Sequence, residues 1–238
     1  MITILRYSIK VLLLLACFLY LVGDGVEKYK STLFNNWVHE RIQLNDWYYV
    51  YSLAKIHNNH ELSKRLANEI IRISDEINVD SYLIARQCYK ESFMIHWKRS
   101  YRNGKPLAWG LFMIQPKYWS HLLYTIQDNS LGAYLMNNPH KNPNKYLLRI
   151  GYNIDVYSIV FKYYIDMFNG DLGKAYTAYY AGENSKEMKR YLKGKSNHYV
   201  DDILNGNIEN KIKTVNGNKW HYHKNKFDIA YIKKLQRT

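Results

Sequence analysis

Cysteine is nearly missing from this chain. Of two in 238 residues, Cys17 sits in an apolar N-terminal run, so only Cys88 belongs to the part expected to fold. That excludes an internal disulfide and a cysteine-based metal site there. Acidic residues are also scarce: 20 aspartates and glutamates face 34 lysines and arginines, a net charge of +14. Such a chain is drawn to something anionic, whether nucleic acid, an acidic membrane surface or a polymer such as a cell wall. Internal repeats and heptads long enough for a coiled coil are missing too. The longest apolar block, Val11 to Val22, falls short of a comfortable membrane span even with Ser8 and Ile9, since a span takes roughly twenty apolar residues.

What is present suffices for one good-sized core: 47% hydrophobic residues, 16% of the chain aromatic. The 24 tyrosines accompany abundant Lys, Asn and Ile, so coding bias accounts for part of them as readily as function does. Arg6 and Lys10 precede the apolar block in the order of an export signal or short signal anchor. Gly23-Asp24-Gly25 has the small-x-small spacing of a cleavage site, and Leu14-Leu15-Ala16-Cys17 resembles a lipoprotein box, although Phe18 to Val22 continues apolar. In each case the basic flank stays inside and the remainder is expected outside the cytoplasm.

Apolar spacing predicts packing helices over about 31–56 and 62–77, and a third from an Asp80 N-cap to about Trp97. Asn103-Gly104, with Gly110 and Pro116 beyond, predicts turns or a short hairpin over 100–116. Residues 137–146 read as a loop. Ile154 to Met167 reads as a helix that Gly170 ends, succeeded by one that Asp171 caps and Gly182 stops. Beyond about 195 the chain turns Lys- and Asn-rich, with a second hairpin signal at 215–218. The fold class is mostly α with a small β element, divided as 1–25 signal or anchor, 26–62 helical leader, 63–195 main domain and 196–238 basic extension.

One residue is out of place. On the helix from Asp80, Ile84, Cys88, Glu91 and Ile95 share a face at spacings of four, three and four. A carboxyl on that stripe is partly desolvated, which raises its pKa. A carboxylic acid that keeps its proton near neutrality is what protonation of a glycosidic oxygen requires. The alternative is an idle carboxylate at the domain edge, bonded to Gln87 one turn back.

Glu91-Ser92-Phe93 is succeeded by Ser100, by Gly110-Leu111-Phe112-Met113-Ile114-Gln115-Pro116, by Gly151-Tyr152-Asn153-Ile154 and by Ala178-Tyr179-Tyr180-Ala181-Gly182. In this order the blocks resemble the catalytic domain of the soluble lytic transglycosylases, goose-type-lysozyme-like enzymes that cut peptidoglycan, over about 63–195. The resemblance implies a lysozyme-like α+β fold. It makes Glu91 the single catalytic acid and base and Ser92 the residue beside it. Gly110 and the segment after it become the lining of the sugar groove, Asn153-Ile154 the start of a core helix, and Tyr179 a residue that approaches the acid. Ser92, Ser100, Gly110, Met113, Gln115, Asn153, Tyr179 and Tyr180 are thus the candidate substrate-binding residues. The chain departs from the family pattern at Tyr180, where the family has asparagine, and at Met113, where it has glutamine, with Gln115 two residues on. Its loop between Ser100 and Gly110 is also longer.

In the chemistry the resemblance implies, Glu91 protonates the oxygen between N-acetylmuramic acid and N-acetylglucosamine. As a carboxylate it then takes the proton of the muramyl C6 hydroxyl, which closes on C1 to a 1,6-anhydro sugar. No second carboxylate, metal or cofactor is expected. Nine histidines offer no ligand set, because His57 with His60 and His221 with His223 lack partners and His39-Glu40 lacks a second histidine at zinc-protease spacing. Trp97, Trp109, Tyr118 and Trp119 stack on sugars or pack the core. The expected partners are peptidoglycan strands and, through the N-terminus, a membrane. Three other readings stay open: a lysozyme that adds water, a non-catalytic wall-binding scaffold, and single-strand nucleic-acid binding through the basic tail, which export disfavours.

Overall fold

The computed structural model divides the chain into two compact units, 1–45 and 46–238. Of the first it describes residues 32, 35, 36, 39, 40 and 42–45, all helical; of the second, 46–116, 144–206, 208–209 and 229–237. The apolar N-terminal run, residues 117–143 with Tyr118 and Trp119, and the hairpin signal at 215–218 lie outside the described residues. No helix among the described residues is long and apolar enough to cross a membrane. The divisions expected at 62 and 195 both fall inside the second unit.

The second unit is mostly helical with one small antiparallel hairpin. Helix α1 covers 46–54 and buries Trp47, Tyr49, Val50 and Leu53. Helix α2, His60–Ile77, starts where Asn59 accepts from the Leu62 N–H and stops where Asn78 turns left-handed. Its apolar period buries Leu66, Ile70, Ile73 and Ile77 on one side. Helix α3, Ser81–Ser92, is capped by Asp80 as the sequence predicts, but it ends well short of Trp97. Phe93 and Met94 both take positive φ, 60° each, which breaks the helix after Ser92, one residue past Glu91, and turns Met94 into the core. Ile95 therefore leaves the helical stripe that Ile84, Cys88 and Glu91 share.

Strands β1, Arg99–Arg102, and β2, Lys105–Trp109, pair in antiparallel register with a bulge between Ser100 and Tyr101. The Asn103-Gly104 turn has φ of 52° and 73°. Positive values at both central residues suit a two-residue hairpin of right-handed twist, which explains why this dipeptide is such a good signal. A second reversal comes at once, where Trp109 and Ile114 exchange backbone hydrogen bonds of 3.0 Å each way and the residues between them drive Leu111 and Phe112 inward.

Residues 144–146, the end of the expected loop, belong instead to the short helix α4, Asn144–Leu147. Helix α5, Ile150–Met167, begins four residues before Ile154, so that Asn153 lies within it. Val156, Tyr157, Val160, Phe161 and Tyr164 are buried along it, each contributing about 1.5–3 kcal/mol by leaving water. It packs between α2 and helix α6, Leu172–Ala181, which Asp171 caps and Gly182 stops as predicted. Next come helix α7, Lys186–Tyr191, helix α8, His198–Leu204, and helix α9, Ile229–Arg237. Although α8 lies in the stretch read as a basic extension, Tyr199, Val200 and Ile203 bury it against α3 and α6.

Candidate active site

The site grows from the last two turns of α3, whose residues at spacing four hold α8 in two parallel rungs. On one, Arg86 donates to the Ile203 carbonyl at 3.0 Å and pairs with Glu209, beyond the end of α8, at 2.7 Å, while Lys90 forms an ion pair with the buried Asp202. On the other, Gln87 Nε2 donates to the Tyr199 hydroxyl at 3.2 Å, and that hydroxyl donates to Glu91 Oε1. The edge carboxylate bonded to Gln87 is therefore not what is found: Tyr199 stands between the two.

Glu91 keeps a fringe of surface, while Cys88 and Ser92 on either side are sealed. Burial pushes its carboxyl up from 4.5 to about 7, against a lowering pull from the Tyr199 hydroxyl and the Lys90 ammonium. Burial outweighs both, so near neutrality the acid is divided between its protonated and ionised forms. Such a group can give a proton and take one back without leaving the working pH range.

Three of the other sequence blocks converge on Phe112. Its N–H donates to Asn153 Oδ1 at 3.0 Å, its carbonyl accepts from the Tyr179 hydroxyl at 2.8 Å, and its ring stacks on Tyr157 with centroids 3.7 Å apart. Asn153 Nδ2 donates onward to the carbonyls of Trp109 at 3.0 Å and Leu147 at 2.8 Å. Gly110 is required at this junction. Its φ is +77°, and a Cβ there would lie 2.2 Å from both Asn153 Nδ2 and the Leu147 oxygen. The Cys88 thiol points at the Leu111 carbonyl, 3.9 Å away, which ties this loop to α3 within a turn of Glu91.

The expected substrate-binding residues separate into two groups. Ser92, Gly110 and Asn153 face inward: Ser92 Oγ donates to the Cys88 carbonyl at 3.1 Å, and the Asn153 amide is spent on three backbone groups. Tyr179 is also buried, close enough to Glu91 that the carboxylate helps raise its phenol pKa. Ser100, opposite Ala108 on the hairpin, Met113 and Gln115 are half-buried. Tyr180 is 55% exposed and lies flat on Tyr199, with centroids 4.5 Å apart and planes 17° apart. Trp97 is exposed, whereas Trp109 is core, capped by the Arg99 guanidinium.

Sequence reasoning missed Tyr199 because the boundary drawn at 195 removed it from consideration. The available signal was Asn197 as an N-cap ahead of Tyr199, Val200 and Ile203 at helical spacing. Among the described residues no group of three or more His, Cys, Asp or Glu side chains is placed to hold a metal ion. Comparison of the chain with protein-family models, with curated proteins and with solved structures finds no match.

Proposed function

We propose that this chain is a lytic transglycosylase of the bacterial envelope, held by its N-terminus to a membrane or exported, and acting on peptidoglycan strands. The observation that carries the reading is Glu91: a lone carboxyl at the rim of an otherwise sealed helix face, raised to about 7 by burial and held by one phenol. In the protonated form it gives its proton to the glycosidic oxygen, and the N-acetylglucosamine end departs with a new hydroxyl. The muramyl N-acetyl group assists at the anomeric carbon. Glu91, now ionised, takes the proton from the C6 hydroxyl as O6 bonds to C1, which restores the acid and consumes no water.

Two further observations support the reading. Asp202, three residues beyond Tyr199, is engaged by Lys90 and buried. Phe112, Asn153 and Tyr179, from three of the blocks that carry the family resemblance, interlock by hydrogen bonds a short way from the acid. The exposed face of Tyr180 offers an apolar platform of the kind sugar rings stack on. The test is mass spectrometry of purified peptidoglycan digested by a protein starting near Val26, beside its Glu91→Gln variant. Anhydromuramyl ends that vanish in the variant are expected. Reducing muramyl ends would make it a lysozyme, and intact strands over a range of pH and salt would make it a binding protein.

A further inference from the structure

The hydrogen bond that reaches Glu91 is the last of a buried series with a single direction. The Tyr157 hydroxyl on α5 donates to Gln87 Oε1 at 2.6 Å, Gln87 Nε2 donates to the Tyr199 hydroxyl at 3.2 Å, and Tyr199 donates to Glu91 Oε1. Tyr157 and Gln87 are fully buried and Tyr199 nearly so, so water does not compete for these bonds. The direction comes from the chemistry of the last member. An ionised carboxylate can only accept, so Tyr199 donates to Glu91 and accepts from Gln87 Nε2, which leaves Gln87 Oε1 to accept from Tyr157. The Tyr199 oxygen, having accepted that hydrogen, has its own proton left for Glu91.

We propose that Gln87 and Tyr157 are positioning residues for Glu91, acting through Tyr199 to reserve Oε1 as an acceptor and so place the transferable proton on Oε2. The inference rests on the reading of Glu91 as the acid. Were the Gln87 amide reversed, its oxygen would take the Tyr199 proton. Glu91 Oε1 would then be free to donate to Tyr199, burying the catalytic proton on the wrong oxygen. Helix α3 alone cannot decide this, since residues on α5 and α8 set the two ends of the amide. Around the carboxyl stand Cys88 and Lys90 on α3, the latter paired with Asp202, Tyr157 on α5, Tyr179 on α6 and Tyr199 on α8. Of these, the Tyr157–Gln87–Tyr199 series hands a hydrogen bond to the carboxyl, and the Tyr157 hydroxyl gives Gln87 Oε1 a donor that keeps it off Tyr199.

Tyr157→Phe is the decisive variant, because it keeps the ring stacked on Phe112 and removes only the oxygen that orients the amide. Gln87→Met, close in volume, removes the amide itself and guards against a folding defect in the first. The carboxyl of Glu91 is tracked by ¹³C NMR of glutamate-labelled protein, assigned with Glu91→Gln, and folding is checked by circular dichroism. In both variants the Glu91 titration is expected to move to higher pH. The move is by about one unit in Tyr157→Phe, where the freed amide oxygen takes the Tyr199 proton, and by less in Gln87→Met, where Tyr199 keeps that proton for Glu91 but loses the donor that strengthens and aims it. The alkaline limb of kcat/KM on peptidoglycan, where the acid is lost by ionisation, should move with it. Folded variants in which Glu91 titrates as in the parent would overturn the proposal. A shifted titration in proteins that leave peptidoglycan intact, parent included, would keep the relay and reject the enzymatic reading.

Discussion

Replacing Glu91 by glutamine should make the protein more stable as well as inactive, and the gain should depend on pH in a way that only a buried acid produces. The folded protein holds the Glu91 proton up to about pH 7, whereas the unfolded chain releases it near 4.5. Between those values the folded state binds more protons than the unfolded one, so the contribution of Glu91 to stability falls as pH rises through the window. The full displacement corresponds to about 3 kcal/mol, taken up almost entirely by pH 8. Glutamine has no proton to lose, and its Oε1 can still accept from Tyr199. The variant and parent should therefore melt together at pH 4 and separate progressively, the variant ahead by roughly 10 °C at pH 8 for a unit of this size. Asp46, which burial raises to about 6, adds a slope of the same sign to both proteins and cancels in the difference. Melting curves by circular dichroism from pH 4 to 8 measure this. Parallel behaviour across the range would refute the desolvated acid and, with it, the argument that Glu91 is poised for proton transfer.

Tyr199→Phe removes the donor to Glu91 and strands the Gln87 amide; a stability loss of about 1–2 kcal/mol and a Glu91 titration moved to higher pH are expected from denaturant melts and NMR. Gly110→Ala forces a methyl against Asn153 and the Leu147 carbonyl at a positive φ, and should cost about 3 kcal/mol or more in urea unfolding. Lys90→Met leaves Asp202 buried without its cation, a loss of about 3–5 kcal/mol. If the melt of that variant matches the parent, the Lys90–Asp202 pair does not hold α8 to α3.

The sequence by itself determined the local events, because these depend on neighbours a few residues away. Asp80 and Asp171 cap helices through side-chain oxygens that reach the next turn. Asn103-Gly104 turns the hairpin since both residues tolerate positive φ. The periods of α2 and α6 come from their buried stripes. The same reasoning found Glu91, a charge on an apolar face being visible at helical spacing. What the sequence left undecided came from distant chain. Helix α3 ends several residues before Trp97: Phe93 and Met94 are ordinary helix residues in isolation, yet both take left-handed backbone and Met94 is buried there.

Asn153 reads as a polar residue that a ligand would use, yet three backbone groups from Leu147, Trp109 and Phe112 consume its amide. Tyr199 lies 108 residues from Glu91, in a stretch whose lysines and asparagines resemble solvated tail. Its role depends on α8 lying against α3, where Arg86 donates to the Ile203 carbonyl and Lys90 pairs with Asp202. Sequence pattern could place an acid on an apolar face. Packing alone could supply the phenol that holds it and the amide that aims the phenol, since a hydrogen bond requires its two atoms to meet and spacing along the chain says nothing of where a remote helix will lie.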